Sequence, residues 1–176
     1  MPECIYLVDP CTKQLTAVEP VSLTTVGVKE RQDLEAWVIS HPEIFGELLL
    51  VITSEFDQFD RSDRRLDILA LDQSGVLVVI ELKLALRGSF ADLQAIRYAA
   101  FCSAMTMADV VNAHARYLNC SDAEASEAIT IFLNTKELPE LNNNPRIILA
   151  GGDLDDQELT STVLWLRTFG LDISCV

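Results

Sequence analysis

The chain predicts an α/β fold, and three observations carry that expectation. Residues 76–80, Val-Leu-Val-Val-Ile, are apolar without alternation, as in a strand buried on both faces of a sheet. Only Gln73-Ser74-Gly75 separates them from the first part of the stretch 64–83, which reads as two buried strands in a tight hairpin with an acid on the first. Helical periodicity follows over residues 89–106, and another short apolar run, 146–150, comes after two further helical stretches.

From the N-terminus, residues 4–8 and 14–18 alternate around Asp9-Pro10-Cys11 and predict a small hairpin within an extension spanning 1–28. Residues 30–40 predict a helix stopped by Pro42, with Leu34, Trp37 and Val38 as its apolar face and Glu35 beside them. An apolar strand is expected at 47–54. The loop Glu55-Phe56-Asp57-Gln58-Phe59-Asp60 can overhang whatever lies at the ribbon's end, Glu55 being either an extra ligand or a solvated acid. After the ribbon, residues 85–88 lead into the helix at 89–106, which carries Phe90, Leu93, Ile96, Ala100 and Ala104 on one side. Gln94, Arg97, Tyr98 and Phe101 form an adjoining stripe.

Helices are expected at 107–118 and 122–134, the second opening on a capping box of Ser121 with Glu124. Asn142-Asn143-Asn144-Pro145 breaks helicity and launches the strand 146–150. The following Gly151-Gly152 lacks the spaced glycines and the Lys-Ser/Thr of a phosphate loop. Residues 157–169 predict an amphipathic helix with Leu159, Val163, Leu166 and Phe169 on one side and Gly170 as its stop. The terminal strand, 171–176, ends on apolar residues, which suggests the N-terminal part of a longer protein with an additional C-terminal domain.

At 176 residues and 49% hydrophobic content, one globular domain is expected, with a core at 30–151 and a terminal helix and strand at 152–176. No apolar run is long enough to span a bilayer, so no membrane partner is expected. No secretory signal is visible, and the five cysteines, Cys4, Cys11, Cys102, Cys120 and Cys175, form neither a disulfide framework nor a zinc motif. A cytoplasmic protein with reduced, mostly buried thiols fits that usage. His41 and His114 read as structural or solvated rather than as ligands.

The ribbon's turn carries the chemistry. A three-residue loop closed by Gly75 in the left-handed region pairs Asp72 with Val76, and paired positions then sum to 148. Asp67 and Glu81 also sum to 148, so their carboxylates share one face, with β-carbons about 4.5–5.5 Å apart. Lys83 lies two residues on, on that same face. Two converging carboxylates suit a hard divalent cation, Mg2+ or Mn2+, which keeps several waters and takes one or two protein acids. Lys83 beside them can orient or deprotonate a water, or neutralise charge on a phosphate. The structural alternative is a Glu81–Lys83 ion pair with Asp67 capping a neighbouring amide.

These residues resemble the PD-(D/E)xK nuclease superfamily, whose core runs helix, three-strand antiparallel ribbon, helix, strand. Asp67 matches its first acid, Glu81-Leu82-Lys83 its E-x-K, and Gln94-Ala95-Ile96-Arg97-Tyr98 the Q-x-x-x-Y motif of its exonuclease-like and archaeal-type branch. In look it is most similar to the group related to archaeal mismatch and branched-DNA endonucleases. The resemblance covers residues 30–151, departs at Leu66 where the family has Pro, and carries an unusually acidic surface. It implies a restriction-endonuclease-like core, a mixed β-sheet with an antiparallel ribbon flanked by helices. It further implies metal held by Asp67, Glu81 and the Leu82 carbonyl, Lys83 managing the attacking water, and Gln94 and Tyr98 positioning the scissile strand. Glu35 is the helix-1 acid that often joins such a site.

Charge opposes a DNA partner, since the chain carries −14 and polyanion binding rests on phosphate neutralisation. The charge is uneven: residues 61–97 sum to +1 and the rest to −15. A bound dication would make this region positive, although DNA binding from this domain alone should be weak. Two functions are therefore expected: a metal-dependent endonuclease or exonuclease-like phosphodiesterase acting on DNA, or a catalytically silent nuclease-fold module serving in binding or assembly, including as a homo-oligomer.

Overall fold

A computed structural model describes residues 5–56, 65–84, 91–152 and 156–176. The expected loop at 57–60, the connection at 85–88, Phe90, Cys4, and Arg61, Arg64 and Arg87 of the basic region lie outside the described residues, as do the side chains of Glu55 and Asp92.

The fold is α/β. Strands β1 (Ile5–Val8) and β2 (Leu15–Val18) form a separate antiparallel pair. A second, five-stranded sheet runs in the order β3 (Leu49–Phe56), β4 (Leu66–Asp72), β5 (Val76–Lys83), β6 (Asn142–Gly151) and β7 (Ile173–Cys175). It is mixed: β3–β4–β5 is an antiparallel ribbon, and β6 and β7 add in parallel.

The register follows from the turn. Gly75 has φ +78 and donates its N–H to the Asp72 carbonyl, while Asp72 Oδ1 accepts from Ser74 N and Val76 N. Pairing then runs from Leu71 with Leu77 to Ile68 with Ile80, as the sum of 148 requires. At the same end, Arg146 of β6 binds Glu47 at 2.7 Å, Asp72 at 3.0 Å and Asp172 at 3.3 Å, tying four chain segments together.

Alternation along the strands divides the interior into two apolar layers. Ile52, Leu69, Leu71, Leu77, Val79, Ile147 and Leu149 pack under α2 (Ala91–Cys102), α3 (Met107–Leu118), α4 (Asp122–Leu133) and α5 (Gln157–Thr168). Ile68, Ala70, Val78, Ile80, Leu82 and Ile148 pack instead against Leu34 and Val38, near and within α1 (Glu35–Ser40). Glu81 and Lys83 flank Leu82 of the α1-side layer, whereas Leu66 and Ile68, on either side of Asp67, fall in opposite layers, so the strict alternation expected of β4 breaks at Asp67.

Several expectations need correction. The segment at 30–40 opens as a π-helical turn, Glu30–Leu34, before α1, and Trp37 is exposed while Glu35 is buried. The buried face of α2 is Ala95, Tyr98, Ala99 and Cys102, whereas Leu93 and Ala100 are exposed. Small Ala95 and Ala99 allow the helix to approach β5 and β6, and packing thereby overrides the larger apolar residues. The strand expected at 146–150 begins at Asn142, because Val76 and Asn142 pair ahead of Pro145. Phe169 at the end of α5 is exposed and meets only the edge-on Trp165 ring among the described aromatics, and Cys11 is exposed among the thiols. Ser121 and Glu124 do form their capping box, matched at α3 by Thr106 and Asp109. His114 is a core residue, its Nδ1 donating to the Ile52 carbonyl at 3.1 Å. Among the described residues no helix is long and apolar enough to cross a membrane.

Candidate active site

Beyond the Ile68–Ile80 pair the ladder gives way to side chains. Asp67 Oδ2 accepts the Leu82 N–H at 2.8 Å, so the acid caps an amide its own strand leaves free. Glu81, close enough for the Asp67 charge to act on it, is fully buried, with the Lys83 ammonium 3.0 Å from Oε1. Oε1 thus rests on the ammonium, whereas Oε2 has no hydrogen-bond partner. The structural alternative drawn from the sequence, an ion pair beside a capped amide, is therefore present. It leaves the buried carboxylate under-satisfied, an arrangement that native structures rarely keep without a reason.

The electrostatics follow from this burial. Desolvation, then the Asp67 charge, push Glu81 up to about 7 from its usual 4.5, against the pull of Lys83. Asp67 is also raised by burial, opposed by the Leu82 amide and by Lys83. Burial would lower Lys83, but Glu81, Asp67 and Glu30 together outweigh it and the net shift is upward. Lys83 is thus held as an ammonium.

Glu30 is the residue that sequence reasoning missed. From the π-helical turn its Oε1 lies 3.2 Å from Lys83 Nζ, and its Oε2 accepts the Leu84 N–H at 3.1 Å. The expected helix-1 acid, Glu35, is buried at the start of α1, but the acid from this segment that reaches Lys83 is Glu30. Nothing in the local pattern of 30–40 marks Glu30 out, because its partners lie more than fifty residues away.

Of the Q-x-x-x-Y pair, Gln94 is half-buried on α2 and its Nε2 lies 3.4 Å from the Tyr98 hydroxyl. Tyr98 itself is 4% exposed within the apolar layer, so it supports Gln94 from behind and does not line an open cleft. Direct positioning of a strand by Tyr98 is not what its burial allows.

The residues present fit a hard cation. Asp67, near enough for its charge to act on the buried Glu81, and the Leu82 carbonyl, which shares the Lys83 ammonium with Glu81, are oxygen donors of the kind magnesium accepts with waters. Among the described residues no three His, Cys, Asp or Glu side chains form a ready-made metal cage. No protein-family model, curated protein or solved structure matches the chain.

Proposed function

We propose that this chain is a metal-dependent phosphodiesterase acting on DNA, built on a restriction-endonuclease-like core. One observation carries the reading. The fully buried Glu81 carboxylate has one oxygen on the Lys83 ammonium and the other without a hydrogen-bond partner, and Asp67 lies close enough for its charge to act on it. A bound dication would stabilise that acid more than the single ammonium now beside it does.

Asp67, Glu81 and the Leu82 carbonyl would hold Mg2+ or Mn2+, which supplies Lewis acidity toward the phosphate and lowers the pKa of bound water. In hydrolysis a water oxygen bonds to phosphorus, the strand's leaving oxygen departs with its electron pair, and that oxygen ends protonated. Lys83, held as an ammonium, is suited to orienting the water and neutralising developing phosphate charge, not to removing a proton. Gln94, half-buried on α2 with its amide donating to the Tyr98 hydroxyl, would contact the strand's backbone. The alternative of a silent module assembling with a second copy is favoured by the charge of −14 and by the exposed apolar residues of β1 and β2.

The deciding experiment is cleavage of single-stranded, mismatched and branched DNA at low salt with Mg2+ or Mn2+. Wild type should cleave at least one, and Lys83→Met and Glu81→Gln should each lose at least a hundredfold. Cleavage surviving both substitutions would place the activity elsewhere. A wild-type chain that neither cleaves nor binds metal would leave the silent module.

A further inference from the structure

The Lys83 ammonium stands within reach of three oxygens: the Leu82 carbonyl at 2.9 Å, Glu81 Oε1 at 3.0 Å and Glu30 Oε1 at 3.2 Å. The first two are donors that the metal reading gives to the divalent ion. Metal–oxygen distances near 2.0–2.1 Å would put a magnesium ion on the same two oxygens, close against the ammonium. A dication and an ammonium cannot share them, because like charges at that separation repel strongly away from bulk water.

Resting on that metal reading, we infer that Lys83 is a built-in counter-cation, occupying the cation position until a divalent ion displaces it onto Glu30. Glu30 is suited to receive it. Its carboxylate is the more exposed of the two partners, at 35% against 0% for Glu81, and the Leu84 N–H fixes one oxygen while the other faces Lys83. The ammonium also explains how Glu81 is tolerated in a metal-free fold, since a buried carboxylate with no cation beside it is costly. Metal affinity is then a competition between a dication and an internal lysine, and Glu30 biases it toward the dication.

Calorimetric titration with Mn2+, with no nucleic acid present, tests this on wild type, Lys83→Met, Glu30→Gln and the double variant. Lys83→Met should bind Mn2+ at least tenfold more tightly than wild type. Glu30→Gln should bind severalfold more weakly, because the displaced ammonium loses its acceptor, and this loss should vanish in the double variant. A loss that persists there would make Glu30 a ligand and overturn the acceptor role. Equal or weaker binding by a folded Lys83→Met, alongside measurable wild-type binding, would overturn the counter-cation while leaving the metal site standing. No binding by either would overturn the metal reading and this inference with it. Should Lys83→Met fail to fold, Lys83→Arg serves, since its fork grips a carboxylate more firmly and should weaken Mn2+ binding about tenfold; unchanged affinity would overturn the proposal.

Discussion

Glu81 concentrates the tension in this molecule. Its pKa, raised to about 7, means that the metal-free fold keeps a proton on this acid at pH values where the unfolded chain, near the usual 4.5, has already ionised. Between those values the folded state binds more protons than the unfolded one, so stability is complete below 4.5 and falls as pH rises toward about 7. The span corresponds to roughly 3 kcal/mol, and Asp67 adds a fall of the same sign above its usual range. Urea midpoints of metal-free protein should therefore drop across this window, and Glu81→Gln should flatten most of the drop. A wild-type profile that is level or rising there would show Glu81 to be stabilised as an anion. At His114 the demand is structural: removing the ring in His114→Ala leaves the Ile52 carbonyl without its donor and opens a cavity. A loss of about 2–4 kcal/mol in chemical denaturation is expected, with no effect on Mn2+ binding.

Among the elements, the β4–β5 hairpin sets the site, and its stability is local. Asp72 closes the turn through two backbone amides and meets Arg146 at 3.0 Å, so Asp72→Ala should cost about 2–3 kcal/mol. Gly75→Ala should cost about 1 kcal/mol through its φ of +78 alone, because the added methyl would meet only Pro139 at an ordinary 3.7 Å. Both are read from urea midpoints, and a larger loss at Gly75 than at Asp72 would mean the turn's hydrogen bonds are not what holds the register. That turn is why the hairpin register was legible in the sequence: a three-residue loop ending in glycine fixes the pairing from Leu71–Leu77 to Ile68–Ile80, short of Asp67 and Glu81. The capping boxes were legible for the same reason, being contained within four residues. What could not be read depends on distant packing. Glu30 meets Lys83 across 53 positions and Arg146 meets Glu47 across 99, with no local signal for either. The face of α2 was misjudged because a helix seated on a sheet buries its small residues for close approach, and apolar size alone pointed to Leu93.

At the scale of the whole molecule, two features stand apart from the core. Strands β1 and β2 are exposed along their full length and pair only with each other in the sheet topology, while Leu23 packs against the α1-side layer. A chain lacking residues 1–18 should thus melt within about 2 °C of the full chain, and a drop beyond 5 °C would show the hairpin to be part of the folding unit.

The second feature is charge, and it bounds how DNA can be held. Six cations lie between residues 61 and 97; Lys83 is engaged with two carboxylates and Arg65 also has a partner, so at most four remain to meet phosphates. With at most about four phosphates neutralised, the slope of log affinity against log salt should be no steeper than about −4. Adding Mn2+ moves the local charge from +1 toward +3, against −15 elsewhere, so affinity should depend on the metal more than on salt. Fluorescence anisotropy with Lys83→Met, chosen to avoid turnover, should show single-stranded DNA binding that appears with Mn2+ and disappears on chelation. Metal-independent binding with a steep salt slope would mean that a basic surface other than this site holds the strand, and the acids at Asp67 and Glu81 would then have no part in recognising it.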